Sequence, residues 1–168
     1  MRKQSIEHIV KALNDASVRY LVAGGLAVVA HGHLRFTADI DLILDLDEDN
    51  AKRALAALKA LGYRPRAPVE MEEFADARTR ARWVREKKLA VFSLSSPQHP
   101  ATEVDLFVES PLDFEAAYKA SVEFDVARNV AARFLGMEDL ILLKQQAGRS
   151  QDLADIEALR ALKDAKHP

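Results

Sequence analysis

The stretch from Tyr20 to Leu44 limits the folds open to this chain more than any other. Tyr20-Leu21-Val22-Ala23 is short, apolar and partly β-branched, the pattern of a buried strand. Gly24-Gly25 breaks it, the small apolar run Leu26–His31 reads as a helix, and Ile40–Leu44 reads as a second strand. Two apolar strands joined through a glycine break and a short helix need a sheet with helices packed against it.

The rest of the chain keeps interleaving the two element types. Ile6, Ile9, Val10 and Leu13 fall at helical spacing over 5–16. Asp47 can cap a helix over 48–61, with Ala51, Ala54, Leu55, Leu58 and Leu61 on one face and Gly62 as its terminator. Residues 70–82 fit either a helix or an ordered loop. Lys88–Leu94 and Val104–Val108 are predicted strands joined by the turn-rich segment Ser95–Pro100. Ser110 is the expected cap of a helix over 112–120, and helices over 137–147 and 151–164 follow, parted by Gly148-Arg149-Ser150. The expected class is α/β (α+β), a single domain over 1–168: one mixed β-sheet, helices on one face, and a helical C-terminus.

Charge and cysteine content narrow the chemistry. The 24 Lys and Arg against 26 Asp and Glu leave a net charge of −2, which argues against a uniformly basic nucleic-acid binder. The chain has no cysteine, so disulfides, thiolate zinc sites and cysteine nucleophiles are excluded. His31 and His33 lack spaced ligand partners, so zinc is not expected. The apolar run from Tyr20 to Ala30 falls short of the roughly 20 residues a membrane span needs. Met1–His8 has no apolar core of a signal peptide, and a cytoplasmic location without membrane association is the expectation.

Asp39 and Asp41 stand two apart on a predicted strand, so both carboxylates leave the same face while Ile40 and Leu42 turn inward. Side by side they repel unless a cation lies between them. Magnesium suits such a pair, because it takes hard oxygen ligands and completes its shell with water and phosphates. Glu103-Val104-Asp105-Leu106-Phe107 alternates in the same way. If its strand lies beside the first, Asp105 joins the cluster, and three carboxylates can hold two metal ions about 3.5–4 Å apart. Gly24-Gly25 permits close approach of a ligand to the backbone, at a helix start where N–H groups attract phosphate. Asp-x-Asp alone is often a solvated edge or a cap; with the glycine pair ahead of it and a third strand carboxylate behind, the functional reading outweighs that one. Asp45 and Asp47 are read as strand end and cap, and Asn50 and Ala56 stand where a calcium loop needs Gly and Glu.

The pattern Gly24-Gly25, Arg35-x-Thr37-x-Asp39-x-Asp41, then Asp105 resembles the DNA polymerase β-type nucleotidyltransferase superfamily. Within it, Leu143-Lys144 followed by Gly148-Arg149-Ser150-Gln151-Asp152-Leu153-Ala154-Asp155-Ile156 resembles the tail of the AbiE-type toxin-related bacterial branch. The resemblance implies an NTP substrate bound through one or two Mg2+ ions, with Asp39 and Asp41 as metal ligands and Asp105 as third ligand or general base. It implies nucleotide contacts from Gly24, Gly25, Arg35, Thr37 and Lys144, with Arg149, Asp152 and Asp155 as secondary candidates on helices 137–164 that complete the site. Without the resemblance, Lys144 reads as a solvated lysine near a helix C-terminus, and the two acids as first-turn residues favoured by the dipole.

The implied activity is transfer of an NMP to a hydroxyl on an RNA 3′ end such as tRNA, a protein or a small molecule. A toxin–antitoxin or phage-defence setting with a cognate toxin or antitoxin partner goes with it. The competing reading is a catalytically silent nucleotide- or partner-binding antitoxin or scaffold. The basic run Arg78, Arg80, Arg82, Arg85, Lys87 and Lys88 around Trp83 could track an RNA backbone, although a solvated face with Trp83 in the core fits it slightly better.

Overall fold

The computed structural model describes residues 1–166. Helix α1 (Lys3–Asp15) precedes β1 (Tyr20–Ala23), α2 (Gly24–Ala30), β2 (Asp39–Leu44) and α3 (Glu48–Ala60). The middle holds β3 (Arg64–Pro65), a 3₁₀ turn (Met71–Ala75), α4 (Ala77–Lys87), β4 (Val91–Ser95) and β5 (Glu103–Phe107). Then come α5 (Phe114–Ala120), β6 (Val122–Ala127), β7 (Val130–Phe134), α6 (Met137–Ala147) and α7 (Ser150–Lys166). The seven strands form one mixed sheet in the order β3-β4-β5-β2-β1-β7-β6. This is the interleaved α/β class that the sequence pattern predicts.

Its centre follows from the apolar runs. Leu21, Val22, Ile40, Leu42, Ile43, Leu44, Val104 and Leu106 on β1, β2 and β5 are fully buried; β1 is buried along its whole length, while β5 and the start of β2 alternate between a core face and a half-buried one. Helix α1 packs on α3 and on the β6–β7 hairpin, and α3 packs on the 3₁₀ turn. Helix α6 packs on α7 and on α2, beside the strand ends that carry the acidic residues. Among the described residues no helix is long and apolar enough to cross a membrane.

Three local expectations need correction. Helix α4 runs through Lys87 and ends on Lys88 in the left-handed region (φ 53), so the strand expected from Lys88 begins at Val91. Ser110 does not cap α5; its hydroxyl donates to the Leu112 carbonyl at 2.6 Å, and Asp113 accepts from the Ala116 N–H at 3.0 Å instead. Segment 121–136, given no element above, is a hairpin: Val122, Phe124 and Val126 alternate along one strand, and Asn129 turns the chain at φ 60.

The basic run on α4 also divides. Trp83 is buried and stacks on Phe92 with ring centroids 5.3 Å apart, so it offers no face to a nucleic-acid base. Arg80 is buried as well and donates to the carbonyls of Phe74 and Ala75 at 2.6 and 3.0 Å. His31 is a satisfied core histidine, its Nε2 2.7 Å from the Leu135 carbonyl.

Buried Asn50 ties the entry of β1 to the exit of β2. Its Oδ1 accepts from the Arg19 N–H at 2.8 Å, and its Nδ2 donates to the carbonyls of Arg19 and Asp45 at 3.0 and 2.8 Å. Asn50→Ala strands those backbone groups, and thermal denaturation should show a loss of about 2–3 kcal/mol, a drop of roughly 5–10 °C.

Candidate active site

The register of three strands assembles the acidic cluster. Strands β2 and β5 are parallel, with Asp41 opposite Asp105 and Asp39 opposite Glu103. Strand β1 runs antiparallel to β2 and ends with Ala23 opposite Asp41, so Gly24 emerges against the Asp41 side chain. A Cβ on Gly24 would overlap the Asp41 carboxylate, and the residue sits at φ +60, so glycine is required there twice over. Gly25 is equally constrained: a Cβ would come within 2.7 Å of Arg35 Nη2 and of Thr37 Oγ1. The glycine pair thus lets the α2 backbone sit directly on the carboxylate strand and on the loop that leads into it.

These residues line one cleft of about 680 Å³. Asp39, Asp41 and Asp105 stand at its acidic end, with Gly24, Gly25, Arg35 and Thr37 beside them. Lys144, Arg149 and Asp152 contribute from α6, α7 and the turn between them. Every candidate named from the sequence is therefore in the cleft wall except Asp155, which lies behind it. The pattern reading missed the apolar half, where Phe36, Val91, Phe107, Leu140, Leu143 and Ala147 face the same space. The alternation on β5 could have revealed Phe107, which shares a face with Asp105.

Electrostatics at the acidic end are unfavourable as they stand. Burial first, then the neighbouring charges of Asp105 and Asp39, push the Asp41 carboxyl up to about 6, against a smaller opposing pull from Lys144 and Arg149. Burial likewise raises Asp105, with Asp39 and Glu103 adding to it and the nearby Ser93 hydroxyl acting the other way. Asp105 Oδ1 is buried without a hydrogen-bond partner. An orphaned carboxylate oxygen beside two more carboxylates fits a hard divalent cation. Among the described residues no three Asp, Glu, His or Cys side chains already converge as a metal cage. The buried, partnerless Asp105 oxygen and the neighbouring Asp41 are hard oxygen donors, the type that magnesium shares with phosphate oxygens and water.

The opposite wall is held by a buried ionic network. Lys144 is 5% exposed and lies 3.0 Å from Asp152 Oδ1 and 2.6 Å from Asp155 Oδ2. Asp155, 0% exposed, also pairs with Arg35 Nε at 3.1 Å and accepts from Gln151 Nε2 at 3.2 Å. The Arg149 N–H donates to Asp152 Oδ2 at 3.2 Å, while its guanidinium stays exposed and makes no salt bridge among the described residues. Lys144 thus reaches the cleft already compensated, and Arg149 reaches it uncompensated.

Comparison with known proteins identifies the family and the fold. A family model described as a nucleotidyltransferase of unknown function (DUF6036) matches residues 3–165; it is this family, not the AbiE-type branch, that the chain matches. No curated protein matches the chain in sequence. Among solved structures, a lincosamide antibiotic adenylyltransferase, LnuA, with lincomycin bound superposes with a TM-score of 0.61 at 13% identity, over 96% of this chain and 98% of that one. The antibiotic-resistance factor ANT(2'')-Ia, in complex with adenylyl-2''-tobramycin, superposes with a TM-score of 0.59 at 15% identity, over 97% and 95%. Its solution structure gives 0.58 at the same identity, over 97% and 89%. At these identities the likeness is one of fold.

The raised Asp41 carboxyl carries a sign that can be tested. Its folded value, about 6, lies above the unfolded 3.8, so the native state holds this proton more tightly and loses stability as pH rises from about 4 to 6. Without metal, Asp41→Asn should melt higher than the parent protein above pH 6, by at most about 3 kcal/mol, and the gap should close below pH 4. Melting curves in chelator across that range check it.

Proposed function

The chain belongs to the DUF6036 family of nucleotidyltransferases, and on that premise we propose that it moves a nucleoside monophosphate from an NTP to a hydroxyl acceptor in the cleft between β2 and α6. The observation that carries the reading is the pairing of Asp41 with Asp105 across parallel strands, with Asp39 on the same face, opposite a cationic wall. An acidic cluster facing cations suits a substrate that brings both phosphates and a divalent ion.

Each residue then takes a role. Asp39 and Asp41 would hold magnesium, with Asp105 as a third ligand or as the base. A bound magnesium would neutralise phosphate charge and polarise the phosphoryl oxygens. Arg149, exposed and without a salt bridge, takes the phosphate tail directly. Lys144 and Arg35 act through position: Asp155 fixes both, and their charge reaches the cleft from behind. Gly24 and Gly25 let the α2 backbone sit against Asp41, Arg35 and Thr37, and Thr37, whose hydroxyl donates to the Asp39 carbonyl at 3.3 Å, sets the carboxylate strand.

The transfer forms a bond from the acceptor oxygen to the α-phosphorus and breaks the bond from that phosphorus to the bridging oxygen of pyrophosphate. The acceptor proton passes to Asp105, whose carboxyl is shifted upward by burial and is therefore a stronger base than an exposed aspartate, or to water. The acceptors in the similar structures are antibiotics, so a small hydroxyl-bearing molecule is the first class to try. An RNA 3′ end and a protein side chain follow. Toxin–antitoxin partnership rests on the resemblance of the tail segment alone.

The test combines α-labelled NTPs, magnesium and, in turn, aminoglycoside and lincosamide antibiotics, total tRNA and cell protein. Magnesium-dependent pyrophosphate release with label transfer is the expected result. Asp41→Asn should lower transfer at least about a hundredfold, since several kcal/mol of charge stabilisation depend on that ligand. Arg149→Ala should raise KM for NTP about tenfold with kcat less affected. Full transfer in Asp41→Asn refutes the site, and NTP binding without any pyrophosphate release favours the silent scaffold.

A further inference from the structure

We propose that Phe36 is the surface on which the nucleobase of the NTP stacks, an inference that rests on the nucleotidyltransferase reading above. Phe36 and Leu34 are 81% and 85% exposed, far more than the other large apolar side chains that face solvent among the described residues. They lie on the loop between α2 and β2, and that loop is pinned. Arg35, between them, turns inward to Asp155 and donates from Nη1 to the Phe36 carbonyl at 2.8 Å. Thr37, the next residue, is tied to the Asp39 carbonyl.

The Phe36 backbone is thus held on both sides while its ring contacts no other aromatic ring among the described residues. A loop free to move would fold such a ring onto apolar surface, because burying a phenylalanine is favourable. Here the anchored loop presents it at the cleft wall, in the same space as Leu140, Leu143 and Ala147. An apolar wall that carries an aromatic ring suits the π-face of a base. Leu34, two residues earlier, does not line the cleft.

Transfer geometry favours the base over the acceptor as occupant. Attacking and leaving oxygens lie in line through the α-phosphorus, so the ribose and base leave to the side of that axis. Phe36 sits on the short loop that runs directly into Asp39 and Asp41, next to Arg35 in the cleft wall, and so flanks the nucleotide. Asp105, Val91 and Phe107 lie across the sheet on β4 and β5, where an acceptor hydroxyl meets the base.

The experiment measures affinity for ATP and for inorganic tripolyphosphate, both with magnesium, in the parent protein and in Phe36→Ala, Phe36→Trp and Leu34→Ala. Stacking predicts that Phe36→Ala weakens ATP about fivefold to a hundredfold and leaves tripolyphosphate unchanged. Phe36→Trp should keep ATP affinity and show tryptophan quenching on binding, and Leu34→Ala should match the parent. Purine nucleotides should lose more than pyrimidine nucleotides. Unchanged ATP affinity in Phe36→Ala overturns the proposal, as does an equal loss for ATP and tripolyphosphate, which assigns the effect to the phosphates. A raised acceptor KM at unchanged ATP affinity also overturns it and makes Phe36 an acceptor contact. A parent protein that binds neither ligand sinks the nucleotide site itself. Phe36 is exposed, so each variant should melt with the parent.

Discussion

Asp41 and Asp105 are placed directly opposite one another on parallel strands, with Asp39 on the same face, and the rest of the structure is organised around that repulsion. Their proximity follows from register, since adjacent strands lie about 4.8 Å apart and neither side chain can leave the face its parity assigns. The Gly24 backbone closes over Asp41, which shields it from water and adds a burial penalty to the like-charge penalty. A chain selected only for stability has no reason to keep this arrangement, because an amide at position 41 would fill the same space without charge. The cost makes sense when the charge is used, and polyphosphate chemistry with a divalent ion is a use that matches the donor set.

Asp155 is the second constraint. It is fully buried and draws in Arg35 from the loop ahead of β2 and Lys144 from α6, so one carboxylate on α7 ties the C-terminal helix pair to a loop more than a hundred residues earlier. A buried charge without partners is costly, and here both partners are present, with Gln151 as an additional donor. The arrangement explains how a loop can hold Phe36 out in solvent: Arg35 is fixed from beneath. It also separates two cations that look equivalent in sequence. Lys144 is consumed by the network, whereas Arg149 only lends its backbone N–H to it and keeps its guanidinium in the cleft.

Most of the acidic end was legible from the chain alone because strand alternation is strict. Asp39, Asp41 and Asp105 occupy the parity positions opposite to Ile40, Leu42, Val104 and Leu106, and the glycine pair marks a close approach whatever its partner. The pairing of β2 with β5 was less accessible, since these strands are far apart in sequence and no local signal encodes their neighbourhood. The hairpin over 122–134 escaped because its outer strand lies largely at the surface and its turn uses Arg128-Asn129, with no glycine to mark it. The partition of the basic run was also invisible: Arg80 and Arg82 differ only in which face of α4 they occupy, yet the first is buried against carbonyls and the second is exposed. Asp155 looked like an ordinary first-turn acid, because a buried ion pair depends on side chains that tertiary contacts supply.

The charge balance of the cleft bears on the order in which ligands arrive. With every group ionised, Asp39, Asp41, Asp105, Asp152 and Asp155 outnumber Arg35, Lys144 and Arg149 by two. The free cleft is therefore a negative surface, and a bare nucleoside triphosphate, itself polyanionic, would be repelled from its acidic end despite the cationic wall. Protonation of Asp41, held near 6, relieves only part of that excess at neutral pH. A divalent ion carried by the phosphates would change the sign of the encounter, because it would meet carboxylates that make no salt bridge, and an Asp105 oxygen that has no hydrogen-bond partner, among the described residues. Under the proposed function the ion and the nucleotide would arrive as a single ligand, and the acidic end would discriminate against polyanions that come without one.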